Sequence, residues 1–411
     1  MNISSFIARR IAFNQQKSFS RFIIRLSVAA TVISVMVMIV TLSFVNGFQE
    51  TVSQKVFSFW GHVRIQYRQP MKANIAEEQP IEKNDSLVHN IARFPQVESV
   101  HPFATKYAIL KTAEDMEGVL LKGLDSTYDF NHLSGFLQQG RWIRFGGPSY
   151  SREIVISAYT AKQLQLKVDD RILIYFVRPD GSLRPDKLTV TGIYKTGIEE
   201  YDKTFAIGDL RLIQRLNGWE ADEIGGYEIF LHDYEQMGAV SGAIYEHVLF
   251  PLLWETKTIK EIYPNIFDWL QIQNTNQGIL ITIMVVIAAI NLITCLIILV
   301  LERFRMIGIL KALGATNWAV QKVFLHHSAL ITFTGILIGT ALGLGLLWVQ
   351  QQTGFIRLDE DAYYMSTAAV KVKWWQVVAV AAGTMTVSFL VLLIPSLIVR
   401  NVQPVKAIHF R

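Results

Sequence analysis

The residues able to do chemistry in this chain are few and scattered. Nine histidines and a single cysteine, Cys295, are spread over 411 residues. His326-His327 is the only adjacent histidine pair, and neighbours in sequence do not share a helical face, so a chelating pair is not expected there. No metal-spaced Cys/His set, G-x-S-x-G nucleophile elbow or H-E-x-x-H helix occurs. Asp359-Glu360-Asp361 lacks the spaced oxygens of a calcium loop and reads as a solvated acidic turn. No G-x-x-x-x-G-K-S/T loop is present to cradle a nucleotide phosphate, so any ATP that drives this protein must be bound by another polypeptide. The expectation is a non-catalytic chain with no metal site and no cofactor of its own.

One charged segment does carry a pattern. LERFRMIGILKALGAT, residues 301–316, starts where a long apolar run ends. FRMIGILKAL suits a helix, Gly314 falls where a helix end wants a left-handed residue, and Thr316 can cap the next helix. The segment therefore predicts a short helix, an elbow and a rise into a further apolar run. The residues alone leave two readings open: an amphipathic helix lying along a membrane face, or a rigid lever on which a soluble partner presses.

These elements are positioned by long apolar runs. Half the residues are hydrophobic and 18% are charged. Four stretches hold no charged residue and are long enough to span a bilayer: 26–44, 278–301, 330–348 and 377–399. The first is too long for a signal peptide and no small-x-small site follows it, so it reads as an uncleaved anchor. Segments 1–25, 302–329 and 400–411 together carry 12 Lys/Arg and one acid, and are expected to be cytoplasmic. The large segment 45–277 carries a net −6 and the loop 349–376 is balanced, so both are expected outside. Cys295 lies inside an apolar run and reads as a small buried hydrophobe. Gly335, Gly339 and Gly343 form a small-xxx-small stripe that allows close helix approach, and Pro395 predicts a kink.

The fold class expected is a membrane α-helical protein with four transmembrane helices and a large extracytoplasmic α+β domain between spans one and two. Within 45–277, strands are predicted at 63–67, 104–110, 117–124, 153–157, 170–177 and 187–194, with short helices at 86–94 and 159–166. Pro179-Asp180-Gly181 marks a hairpin turn, with Pro179 and Pro185 stiffening its arms. The flanks of this segment read as helical stalks that extend spans one and two and carry the domain.

RMIGILKALGA (305–315) resembles the signature of FtsX/MacB-type ABC permeases. VNGFQETVSQKVFSFWGHVRI (45–65), VLLKGLD (119–125), EIVISAYTAKQLQLKVDDRILI (153–174), IRLDEDAYYMSTAAVKV (356–372) and VQPVKAIHFR (402–411) are similar to the lipoprotein-releasing LolC/LolE-type members. That resemblance covers nearly the whole chain in order. It implies a bacterial inner-membrane permease that dimerises with a second copy or paralogue and works with a separate ABC ATPase of the LolD type, which holds ATP and Mg. It implies no nucleic-acid partner.

The resemblance also assigns residues. Arg305, Gly308, Lys311, Gly314, Ala315 and Thr316 fall on the joint that docks the ATPase. Met36, Met38, Val40, Phe44 and Phe48 would line the path by which acyl chains of a lipoprotein substrate enter from membrane lipid. Asn46 and Gly47 would mark the hinge between span and stalk. The hairpin with Pro179, Asp180, Gly181 and Pro185 corresponds to a hook that grips a periplasmic LolA-type chaperone in LolC-like members, although VRPDGSLRPDKL (177–188) is short for such a hook. Two other classes fit parts of the pattern: a MacB-like force transmitter for efflux, and an FtsX-like regulatory scaffold.

Overall fold

A computed structural model of the chain describes residues 19–68, 78–146, 149–177, 183–302 and 304–400. The described residues cluster into two units. One is helical and contains Glu50 and the residues before it, Leu270–Arg357 and the residues from Thr367 onward; the other is Thr51–Trp269 with Leu358–Ser366.

The helical unit is built on four long helices. The first is Phe19–Trp60, 42 residues, so it continues well past the apolar run that begins it. The second is Pro264–Glu302, the third Asn317–Thr353 and the fourth Trp374–Arg400. Three of them are long and apolar enough to cross a membrane. In the fourth, the apolar stretch that meets the composition test is the shorter Trp374–Leu390. Helices suit this setting because they satisfy every backbone N–H and C=O internally. The glycine stripe explains how two of them touch. A methyl on Gly335 would meet Thr31, one on Gly339 would meet Val32 and Val35, and Gly343 lies against Met36 and Ile39. Asn291 adds a hydrogen bond from its side-chain amide to Ser27 Oγ at 3.2 Å, joining second and first helices.

The α+β unit contains β1 (Val63–Tyr67), β2 (Ile81–Glu82), β3 (Val97–Lys111), β4 (Met116–Leu124), β5 (Leu137–Gly140) and β6 (Glu153–Ser157). It continues with β7 (Arg171–Val177), β8 (Leu183–Tyr194), β9 (Phe205–Asp209), β10 (Glu223–Ile224), β11 (Gly226–Leu231) and β12 (Trp254–Thr258). Ten strands form one sheet in the order β12-β1-β11-β3-β4-β9-β6-β8-β5, with β7 bridging β3 and β8. Because β7 pairs with both, β3-β4-β9-β6-β8-β7 closes into a ring. Its β4–β9 and β6–β8 pairs are parallel and the rest antiparallel.

Charges are built into this core. Glu228 on β11 is fully buried and pairs with Lys122 on β4 at 2.8 Å and with Arg64 on β1 at 3.5 Å. The Lys122 ammonium also donates to the carbonyl of Phe59. The Arg64 guanidinium lies over the rings of Trp60 and Phe103, 3.9 and 4.6 Å from their centroids. Burial pulls Lys122 down to about 8, against the raising effect of Glu228.

A second buried group gathers round Phe230. His132 stacks on it at 3.8 Å, while His101 and His62 approach edge-on at 5.8 and 6.3 Å. His62 Nδ1 accepts from the Leu231 amide, and both ring nitrogens of His101 are without a partner. Burial, helped by the nearby His132, pulls His62 and His101 down to about 4. Both rings are thus neutral in the fold at pH 7. As pH falls from 6.5 towards 4, an unfolded chain takes up protons that the folded one refuses, so stability is lost across that window, by up to about 3 kcal/mol per ring. Urea titrations of the full chain in detergent, followed by tryptophan fluorescence, should show lower stability at pH 5 than at pH 7. His101→Phe should shrink the difference without lowering stability at pH 7; an unchanged difference would assign the acid sensitivity elsewhere.

Candidate functional site

The joint between second and third long helices is the best-defined candidate. The short helix Phe304–Ala312 ends in a Schellman turn: Ala315 N donates to Leu310 O and Gly314 N to Lys311 O, with Gly314 at φ +90°. A side chain at that φ would be strained, which is why glycine stands there. Thr316 Oγ1 then accepts from Ala319 N at 3.2 Å and starts the third helix. The inward face of the joint is fixed by packing: Ile307 is buried with Val300 and Val320, and Met306, Leu310 and Ala315 pack on them. Gly308, next to Ile307, is also buried. The outward face is apolar, with Ile309, Leu313 and Trp318 at 53, 79 and 55% exposure. Lys311 is partly covered, which pulls its ammonium down from its ordinary value. Arg305 lies on the same short helix.

The residues expected to line an acyl path divide. Met38 is buried with Val35 and Ile39, and Val40 and Phe44 pack on that cluster. Met36 sits against Gly343. Phe48 is half-buried on the same helix. A cavity of about 290 Å³ opens between first, second and fourth helices, and Met38 is the one member of the expected set that lines it. The other walls are supplied by residues that sequence reading did not single out, among them Leu42, Ile281, Val285, Trp375 and Val380.

Asn46 and Gly47 lie inside the unbroken first helix. The Asn46 amide donates to Gln376 Oε1 at 2.5 Å, and any side chain on Gly47 would run into the carbonyl of Ala369. Lys371 N donates to Ser43 O nearby, and the Lys371 ammonium pairs with Glu50 at 2.8 Å. Of the hairpin residues, Pro185 is exposed on β8 opposite Tyr175, while Pro179, Asp180 and Gly181 lie outside the described residues. His326 Nδ1 donates to the carbonyl of Lys322. Among the described residues no group of three His, Cys, Asp or Glu could hold a metal.

Within Asp359-Glu360-Asp361, Asp359 is exposed as a solvated turn would have it, but Glu360 is not free in solvent. Glu360 is half-buried and pairs with Lys195 at 2.5 Å. The partner lies 165 positions away, so local sequence could not reveal it.

In chain order a sheet-based domain falls between long apolar helices, and the family comparisons assign that arrangement to the membrane permeases. The chain belongs to the FtsX-like permease family with a MacB-like periplasmic core domain: the FtsX-like permease C-terminal model matches residues 278–404, and the MacB-like periplasmic core domain model matches residues 26–244. Its relatives narrow the type. It is 23% identical to the lipoprotein-releasing system transmembrane protein LolC of Neisseria meningitidis over 98% of this chain and 97% of that one. It is 24% identical to the corresponding LolE of Haemophilus influenzae over 99% of each, and 26% identical to LolC of the same organism over 95% of this chain and 94% of that one. The LolC/LolE-type resemblance read from the sequence holds.

The glycine stripe gives a direct check on the helix packing. Gly339→Leu places a Cβ 2.7 Å from the Val32 carbonyl and 3.0 Å from Val35 Cβ, and should cost about 1–3 kcal/mol. Gly345→Leu, where a Cβ meets nothing within 4 Å, should be nearly neutral. Thermal unfolding in detergent distinguishes the two; equal melting temperatures would refute this packing.

Proposed function

We propose that this chain is the permease subunit of an ABC transporter that extracts lipoproteins from the outer leaflet of a bacterial inner membrane and releases them to a soluble periplasmic carrier. The observation that carries this reading is the match to LolC and LolE relatives along nearly the whole of both chains. In this reading the four long helices are all spans, the α+β unit is periplasmic and both termini are cytoplasmic. The excess of Lys/Arg in 1–25, 302–329 and 400–411 supports that orientation.

ATP and Mg would belong to a LolD-type ATPase docked on the joint. A rigid, capped elbow with Ile309, Leu313 and Trp318 turned outward is suited to receive a protein surface, and Arg305, Lys311, Gly308, Gly314, Ala315 and Thr316 hold or flank it. The permease would pair with a second copy or a paralogue. Met36, Met38, Val40, Phe44 and Phe48 would contribute to the acyl path, with the cavity beside Met38 as its best-formed part. Asn46 and Gly47 would set where span passes into stalk, and the hairpin carrying Pro179, Asp180, Gly181 and Pro185 would meet a LolA-type carrier. Extraction needs an external energy source: each buried methylene is worth about 0.8 kcal/mol, so several acyl chains cost tens of kcal/mol to withdraw.

Reconstitution with the cognate ATPase tests this. Vesicles holding the complex should release a triacylated lipoprotein to a soluble carrier only with ATP. Charge reversal at Arg305 and Lys311 together should weaken ATPase binding about tenfold or more, equivalent to about 1.4 kcal/mol, and depress release in parallel. ATP-independent release, or wild-type ATPase binding in the double variant, would overturn the assignment.

A further inference from the structure

The loop between third and fourth long helices does more than connect them. Its middle, Leu358–Ser366, clusters with the α+β unit. The loop is built to hold that shape. Leu358 N donates to Ser366 O, closing its neck, and a helical turn Glu360–Tyr363 forms its tip. Tyr364 follows in the left-handed region at φ +58°, a conformation that favours glycine and is held here by contacts. Met365 is buried, and the Tyr364 ring meets Trp269 edge-on at 5.5 Å.

The seat for this tip is the turn that follows β8. Lys195 Nζ pairs with Glu360 Oε2 at 2.5 Å, and Lys55, on the outer part of the first long helix, donates to the Tyr364 carbonyl at 2.7 Å. The two ammonium groups face one carboxylate. Between them is Gly197 at φ +73°, where a Cβ would fall 2.7 Å from Lys55 Nζ and 2.8 Å from Glu360 Oε1. The turn itself is rigid: Asp202 accepts from Thr196 N, Thr196 Oγ1 and Gly197 N at 2.9–3.0 Å. Three chain segments with no sequence proximity thus meet at one charged node.

We infer that Leu358–Ser366 is a transmission strap: it grips the root of β8 through Glu360–Lys195 and Lys55, and passes movement of the third and fourth helices into the ring of strands that β8 helps to close. Geometry supports the direction of the effect. β8 runs without a break from Leu183 to Tyr194, and Lys195 is the next residue. Residues 183–188 pair with β7, and β7 is held in turn by β3 over Leu173–Phe176, so movement at the root of β8 passes into the closed ring of strands. The Lys195 and Glu360 side chains are about one-third exposed, so their pair can break and re-form without stranding a buried charge. A permanently buried pair such as Lys122–Glu228 could not cycle in that way. This inference rests on the permease reading for the source of the movement.

Hydrogen exchange on the full chain in detergent, with its ATPase and with or without a non-hydrolysable ATP analogue, tests the strap without reference to cargo. The probes are the amides of Tyr363 and Tyr364, which donate to Asp359 O and Glu360 O. In the wild type their exchange should change with nucleotide. Glu360→Lys should speed it about tenfold and remove the nucleotide response, and Lys195→Glu with Glu360→Lys should restore both. In vesicles, Glu360→Lys should keep ATP hydrolysis but lose most lipoprotein release, and the charge swap should recover it. Unchanged exchange in Glu360→Lys, or no recovery in the swap, would overturn the strap. A nucleotide-responsive strap in a wild-type complex that releases no lipoprotein would instead sink the cargo assignment and leave the strap standing.

Discussion

A lysine ammonium shut away from water sits where the first long helix ends. Lys122 bonds to the Phe59 carbonyl, one of the acceptors that a helix end leaves without an internal partner, and to Glu228 on the neighbouring strand. Arg64 completes the group, spread over Trp60. A cation at a helix C-terminus is favoured by the helix dipole, and Gly61 at φ +70° turns the chain straight from that end into β1. The cost of burying these charges is met only while every partner stays in place. The junction between the first long helix and the sheet is therefore all-or-none.

The helical unit obeys a different constraint. In lipid there is no solvent to drive apolar faces together, so close approach and polar contacts must do so. The stripe Gly335, Gly339 and Gly343 meets Thr31, Val32, Val35 and Met36, and Asn291 reaches Ser27. Against that tight seam, the space beside Met38 between first, second and fourth helices is a local failure to close, and a hydrocarbon chain is the kind of molecule that such a surface tolerates.

Much of this was readable from residues. Period and composition located β1, β6, the greater part of β4, β7 and β8 and the second half of β3, because β-branched runs between turn residues have few other uses. The joint was legible as well, since Gly314 and Thr316 act within a few residues of themselves. What escaped was set by distance. The closure of β7 onto β3 depends on register across more than sixty positions. The pairing of Glu360 with Lys195 joins segments that share no pattern, so nothing local set Glu360 apart from its acidic neighbours. One signal did exist and went unused: VLLKGL and GYEIFL each place one charge inside an apolar strand, a mark of a buried pair.

The way the two stalks enter the sheet has a mechanical consequence. β1 leaves the first long helix and β12 leads towards the second, and they pair side by side with Val63 opposite Thr258 at the end nearest both helices. Forces that separate the stalks would act on that ladder from one end and peel it rung by rung, starting at Val63. Forces applied to both stalks in the same direction would carry β1 and β12 together and leave the five rungs between them unstrained. The ladder between β1 and β12 is thus tough towards a shared thrust and fragile towards a scissoring one.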